Sequence, residues 1–190
     1  MGQRSYSRNR RESTTFIRFE VKILRFSKIK DNDIANGLGI TMSFWTQGCP
    51  HHCKGCFNKE TWDFNGGKEF TESDMRYIID NIDKNNIKRD LSILGGEPLC
   101  LQNVEGVISL CKEFKKIYPH KLIYLWTGYT VENFNEIQNE ILKYVDVLID
   151  GKFEEEYKNL SIMLRGSSNQ RVIDVKKSLL QKDIILHEVC

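Results

Sequence analysis

Four short apolar runs, each ending at a glycine, alternate with segments of helical periodicity, and this alternation restricts the chain to few folds. "ITMSFWTQ" (40–47) is β-branched and aromatic and stops at Gly48. "DLSIL" (90–94) ends at Gly95-Gly96, "KLIYLWT" (121–127) at Gly128, and "DVLID" (146–150) at Gly151. Between them, "TESDMRYIIDNIDK" (71–84) opens with a capping pair, Thr71 and Asp74, and places Met75, Ile78, Ile79 and Ile82 on one helical face. "NVEGVISLCKEFKKI" (103–117) starts at an Asn cap, aligns Val104, Val107, Ile108 and Cys111, and ends before Pro119. "VENFNEIQNEILKY" (131–144) spaces Phe134, Ile137, Ile141 and Tyr144 as a third helix. "SIMLR" (161–165) and "QRVIDV" (170–175) read as short strands, and 176–182 as a short helix. Strands separated by helices predict a parallel sheet, with ligands gathered at the strands' C-terminal ends, where the glycines fall.

At 190 residues with 40% apolar content, the chain has enough material for one domain with a substantial core. Residues 1–20, polar and carrying Arg4, Arg8, Arg10 and Arg11, are expected to be a disordered extension, and 21–190 a single domain. A net charge of +2 argues against nucleic acid or an acidic membrane as the main partner. No run approaches the roughly 20 apolar residues of a membrane span, and no apolar leader segment is present, so the expectation is a soluble cytoplasmic protein.

Half of the six cysteines lie in "CPHHCKGCF" (49–57), as Cys-x3-Cys-x2-Cys. Such clustering fits metal binding better than a disulfide framework. A structural zinc site and an ordinary iron–sulfur cluster each want four protein ligands. Cys49, Cys53 and Cys56 supply three, which suits three corners of a 4Fe-4S cluster with the fourth iron open to a substrate. A Cys3His zinc site using His51 or His52 is the competing assignment, although both histidines sit between the first two cysteines rather than at the usual zinc spacing. Cys100 and Cys111 read as buried small side chains; Cys190 has no assigned role.

This loop, with Phe57 directly after it and "GGEP" (95–98) after the second strand, resembles the radical S-adenosylmethionine superfamily. Together with "LGGEPL" (94–99), "WTGY" (126–129), "DGKF" (150–153) and "RGSSNQ" (165–170), it is similar to that superfamily's activases of anaerobic ribonucleoside-triphosphate reductase, from about Ile34 to Val175. The resemblance implies a partial (β/α) barrel of about five to six parallel strands. It implies Cys49, Cys53 and Cys56 as cluster ligands, Gly55, Cys56 and Phe57 against S-adenosylmethionine, and Gly95, Gly96 and Glu97 at its methionine end, with Glu97 offsetting the ammonium. A pocket or partner-facing role is open for Trp126 to Tyr129 and for Asp150, Gly151 and Lys152, and Ser167, Ser168 and Asn169 are possible contacts of the nucleoside.

The implied reaction is one-electron cleavage of S-adenosylmethionine to a 5′-deoxyadenosyl radical. That radical takes a hydrogen atom from a glycine in the glycyl radical domain of the reductase's large subunit, with flavodoxin or a similar carrier as electron donor. Hydrogen-atom abstraction needs no general base, so no catalytic residue is expected beyond cluster and cofactor. Rival readings are a pyruvate formate-lyase activase, a small-molecule radical enzyme such as one making a deazapurine, and a non-catalytic zinc module. A side chain at position 96 is expected to disturb cofactor binding while leaving the thiols alone.

Overall fold

A computed structural model describes residues 18–189, as an α/β body around one seven-stranded sheet. The expected parallel core forms from β2 (Thr41–Thr46), β4 (Asp90–Gly95), β5 (Ile123–Trp126) and β6 (Val147–Asp150), paired in that order. Three antiparallel strands flank it. β1 (Arg25–Asp33) and the two-residue β3 (Lys68–Glu69) extend the β2 side, and β7 (Arg171–Asp174) pairs with β6. The sheet order is β3-β1-β2-β4-β5-β6-β7, and the sheet does not close. Four strands are therefore parallel, not five to six.

Strand alternation sends two sets of side chains to opposite faces. Met42, Phe44, Leu91, Ile93, Ile123, Leu125, Leu148 and Ile173 join one core with Met75 and Ile78 of α1 (Glu72–Asn81) and Val107, Leu110 and Phe114 of α2 (Val104–Ile117). Burying such side chains contributes about 1.5–3 kcal/mol each. Tyr124, Val147, Ile149 and Val172 face the other way, as a second cluster against Trp126 and Leu164. On this second face Trp45, Leu94 and Trp126 line a cavity.

The capping pair of α1 forms in full: the Thr71 side chain accepts from Asp74 N–H, and the Asp74 carboxylate accepts from Thr71 N–H. The helix expected over 131–144 is broken. Phe134 is extended, and Asn135 caps a new start by accepting from Gln138 N–H at 2.9 Å. A short α3 (Glu136–Asn139) then lies between single 3-10 turns at Val131–Asn133 and Glu140–Lys143. Asn side chains competing for local backbone groups explain the interruption. Residues 161–165 form no strand; Leu164 has a positive φ of 63°. They belong to an irregular flap closed at its base by an isolated antiparallel bridge, Lys158 to Ser167. The expected short strand and helix near 170–182 appear as β7 and α4 (Val175–Gln181).

The folded body begins earlier than position 21, because Phe19 is buried in the core and the Ser109 hydroxyl donates to the Glu20 carbonyl. The rest of the expected extension, 1–17, and Cys190 lie outside the described residues. Among the described residues no helix is long and apolar enough to cross a membrane.

Candidate iron–sulfur and cofactor site

The loops that follow β2, β4, β5 and β6 meet at one end of the sheet around a cavity of about 530 Å3. Such a volume suits a ligand of cofactor size. The loop after β2 contributes Cys49, Cys53, Cys56 and Phe57; the loop after β4 contributes Gly95, Gly96 and Glu97. Thr127 and Gly128 come from the loop after β5, and Gly151 and Phe153 from that after β6. The convergence follows from parallel strands, whose C-terminal ends share one rim.

The thiol loop is held by its own main chain. Gly48 N–H donates to Thr61 O at 2.8 Å, Cys49 N–H to Trp62 O at 3.1 Å, and Cys56 N–H to Cys53 O at 3.1 Å. Asn58 N–H points at the Cys56 sulfur, 3.3 Å away, a contact of the kind that tunes a metal-bound thiolate. His52 holds a left-handed φ of 47° and stacks on Trp62, with ring centroids 4.6 Å apart. Burial pushes the Cys49 thiol up to about 11, with the nearby Glu97 charge adding to it, and burial also raises Cys53. These thiols must shed protons to become ligands, a step that the positive charge of a bound metal would favour. Soft thiolate donors from one loop, facing one cavity, suit iron–sulfur ligation. Among the described residues no group of three or more His, Cys, Asp or Glu side chains, the three thiols included, is gathered as a single metal ion requires.

Seven of the eight expected site residues line the cavity. Gly55 does not: with φ at 72° it turns the loop outward, where a Cβ would stand 2.7 Å from the Glu155 carboxylate. Phe57 sits at the rim, half exposed, edge-on to Phe153 at 5.2 Å.

Gly95 and Gly96 are required by close approach as well as by turn geometry. Gly95 has φ at 109°, and a Cβ on Gly96 would lie 2.4 Å from the Gly48 carbonyl oxygen. Gly96 rests on Gly48, the residue before Cys49, so a side chain at 96 would press on the thiol loop as well as on the turn. Glu97 follows Gly96 in the same loop. It is buried at 1% exposure, and its carboxylate accepts from Leu99 N–H, the Thr127 hydroxyl, Gly128 N–H and His51 Nε2 at 2.7–2.9 Å. Each of its two oxygens thus accepts from two protein donors.

The remaining expected positions divide in two. Trp126 lines the cavity and donates to Leu164 O at 2.7 Å, and Tyr129 packs against His51 with centroids 4.7 Å apart. Asp150 is buried beneath Arg171, and Lys152 lies in a neighbouring surface depression. Ser167 accepts from Glu154 N–H, and Asn169 donates to Lys152 O, so these residues hold the flap and do not line the cavity. Gln170 does line it and fixes the flap by accepting from Gly166 N–H at 2.9 Å. His51, weighed in the sequence only as a possible zinc ligand, also lines the cavity, as do Ala35, Asn36, Trp45 and Arg165, which sequence reasoning passed over.

Residues 35–173 match the family model of the 4Fe-4S single cluster domain. The anaerobic ribonucleoside-triphosphate reductase-activating protein of Escherichia coli K12 is 40% identical over 141 residues, covering 74% of this chain and 92% of that protein. The chain belongs to this family of activating proteins. The Vibrio cholerae protein of the same name is 40% identical over 73% of this chain and 90% of its own length. The bacteriophage T4 protein is 38% identical over 78% and 93%. The matched region begins near Ala35 and ends in β7, so it contains the parallel core and all four rim loops.

Proposed function

We propose that this protein is a radical S-adenosylmethionine activase that installs a glycyl radical in an anaerobic ribonucleoside-triphosphate reductase. The observation that carries the reading is the set of three thiols, Cys49, Cys53 and Cys56, facing the same cavity as the Gly95–Gly96 turn, in a chain whose relatives activate that reductase. A 4Fe-4S cluster bound there, with one iron free for the methionine end of the cofactor, would supply the electron that cleaves S-adenosylmethionine to methionine and a 5′-deoxyadenosyl radical able to take hydrogen from a glycine Cα.

The chain's own part is binding and orientation. The three cysteines hold the cluster, and Asn58 N–H adjusts the electron density on the Cys56 sulfur. Gly95 and Gly96 let the turn after β4 pack directly on the main chain of Thr46 and Gly48, which brings that turn against the thiol loop at the cavity. Phe57, Phe153, Trp45 and Trp126 give the cavity apolar walls that keep water from a reactive carbon radical. The sheet's open side, bordered by the Leu160–Gly166 flap, is the entrance for the reductase's glycine-bearing segment. Flavodoxin, or a carrier like it, is the proposed electron donor.

The test is anaerobic reconstitution with iron and sulfide. Purified protein should take up about four irons per chain, release 5′-deoxyadenosine from S-adenosylmethionine under reduction, and raise a glycyl radical signal by electron paramagnetic resonance when the reductase is added. Zinc uptake without iron, or iron uptake without cofactor cleavage, would overturn the reading.

A further inference from the structure

His51 is not a spare histidine between ligands. Its Nε2 meets Glu97 Oε2 at 2.8 Å, and with a carboxylate as acceptor this nitrogen donates. The His51 side chain is 15% exposed and that of Glu97 1%, so the bond is shielded from water. The other three donors to Glu97 come from its own loop, through Leu99 N–H, and from the loop after β5, through Thr127 and Gly128. One buried carboxylate thus joins three of the four rim loops.

The connection to the thiol loop is doubled. Glu97 N–H donates to Gly48 O at 2.8 Å, and three residues further along His51 returns to the Glu97 side chain. Cys49 lies between these two attachment points and is bracketed against the turn that carries Gly95 and Gly96. Cys53 and Cys56 lie outside the bracket, fixed instead by the Cys53–Cys56 turn. The imidazole is held from its sides as well: Tyr129 packs edge-on against it at 4.7 Å, and a Cβ on Gly128 would come within 2.5 Å of the ring.

We propose that His51 and Glu97 form a clamp that sets the position of Cys49 relative to the Gly95–Gly96 turn, which makes His51 a positioning residue for the cofactor and not a metal ligand. The proposal rests on the functional reading above. The cluster is anchored through the thiols, and the methionine end of the cofactor is bound at the turn. The distance between those anchors decides whether the sulfonium meets the cluster in a reactive geometry, and a misplacement of about 1 Å costs on the order of 100-fold in rate. Breaking the clamp should therefore separate metal loading, which needs only the three thiols, from cofactor engagement, which needs the register between loops.

Three variants of the reconstituted full-length chain test this: His51→Ala, His51→Gln and Gly128→Ala, the last of which pushes on the ring from the neighbouring loop. The readouts are iron per chain and the change in the reduced cluster's electron paramagnetic resonance spectrum during titration with S-adenosylmethionine. All three variants should load iron as the wild type does. In His51→Ala the titration midpoint should rise by about tenfold or more, Gly128→Ala should move it the same way, and His51→Gln, which keeps an N–H donor, should recover much of the loss. Iron loss in His51→Ala would overturn the proposal by making the histidine part of the loop's own build. Midpoints within about twofold of wild type would overturn it by showing that the register does not depend on this bond. A wild-type spectrum that ignores S-adenosylmethionine would overturn the functional reading and the clamp together, whereas a responsive wild type with equally responsive variants would remove the clamp alone.

Discussion

Gly96→Ala adds one methyl group at the tightest contact between the thiol loop and the turn after β4. The new Cβ would stand 2.4 Å from the Gly48 carbonyl oxygen and 2.9 Å from its carbon, both main-chain atoms that cannot rotate aside. Even a 3.0 Å approach would require the two loops to part by about 0.6 Å, the difference between 3.0 and 2.4 Å. Two hydrogen bonds oppose the separation: Gly96 N–H to Thr46 O at 2.9 Å and Glu97 N–H to Gly48 O at 2.8 Å. Overpacking costs about 1–3 kcal/mol, and a central value of about 2 kcal/mol lowers Tm by roughly 4–8 °C in a chain of this length. The displacement falls on Gly48, one residue before Cys49, so the defect should reach the metal site. After anaerobic reconstitution the variant should bind less iron than wild type, and cofactor cleavage per bound iron should fall toward 100-fold. Ile78→Val, buried in α1 on the sheet's other face, is the control: it should cost about 1 kcal/mol and leave iron loading intact. The reasoning fails if Gly96→Ala loads iron and cleaves cofactor like wild type, or if Ile78→Val loses as much iron.

Cys49→Ala, Cys53→Ala and Cys56→Ala should each lose iron and 5′-deoxyadenosine formation, whereas Cys100→Ala and Cys111→Ala should retain both; the comparison is iron content against product yield. Glu132 is held at about 2 by its paired hydrogen bonds from Arg171, below its ordinary 4.5. Its contribution is therefore present above pH 4.5 and lost as pH falls toward 2, and the stability gap between wild type and Glu132→Gln in urea unfolding should shrink over that interval. Asn103 stands at the start of α2 without capping it; its Nδ2 donates instead to Gln47 O and Glu97 O, both at 2.9 Å. Asp is a good cap but would point an acceptor at those carbonyls, so Asn103→Asp should lower Tm more than Asn103→Ala, the reverse of the order expected at an ordinary cap.

The parallel core was readable because each of its strands is short, apolar and closed by a glycine, and the chain alternates as β/α units must. β1 was not. "RFSKIKDND" holds only Phe26 and Ile29 as apolar residues, and bulges between Phe26 and Lys28 and between Lys30 and Asp33 destroy the two-residue period that would have revealed it. What marks β1 is its pairing with β2, which no local pattern records. The broken helix at 131–144 fails for the opposite reason. Its apolar spacing is correct, but Asn135 offers the backbone a competing bond, and a periodicity count ignores such competition.

At the site, the thiol loop and the glycine turn stand out in the sequence because their residues are consecutive, whereas the contacts of Glu97, Asn103 and His51 do not, because many of their partners lie far along the chain. Two of the four donors to Glu97, Thr127 and Gly128, come from a loop 30 residues away. A buried carboxylate carries a large desolvation cost unless its lone pairs are filled. Four protein donors fill those of Glu97, so the carboxylate ties together three of the loops around the cavity. Filling Glu97 with protein donors converts that charge into rigidity between loops. The same network fixes the main chain at Gly95 and Gly96, which the proposed function assigns to the methionine end of the cofactor. Under the proposed function, such a rigid rim is what would set the distance between cofactor and cluster.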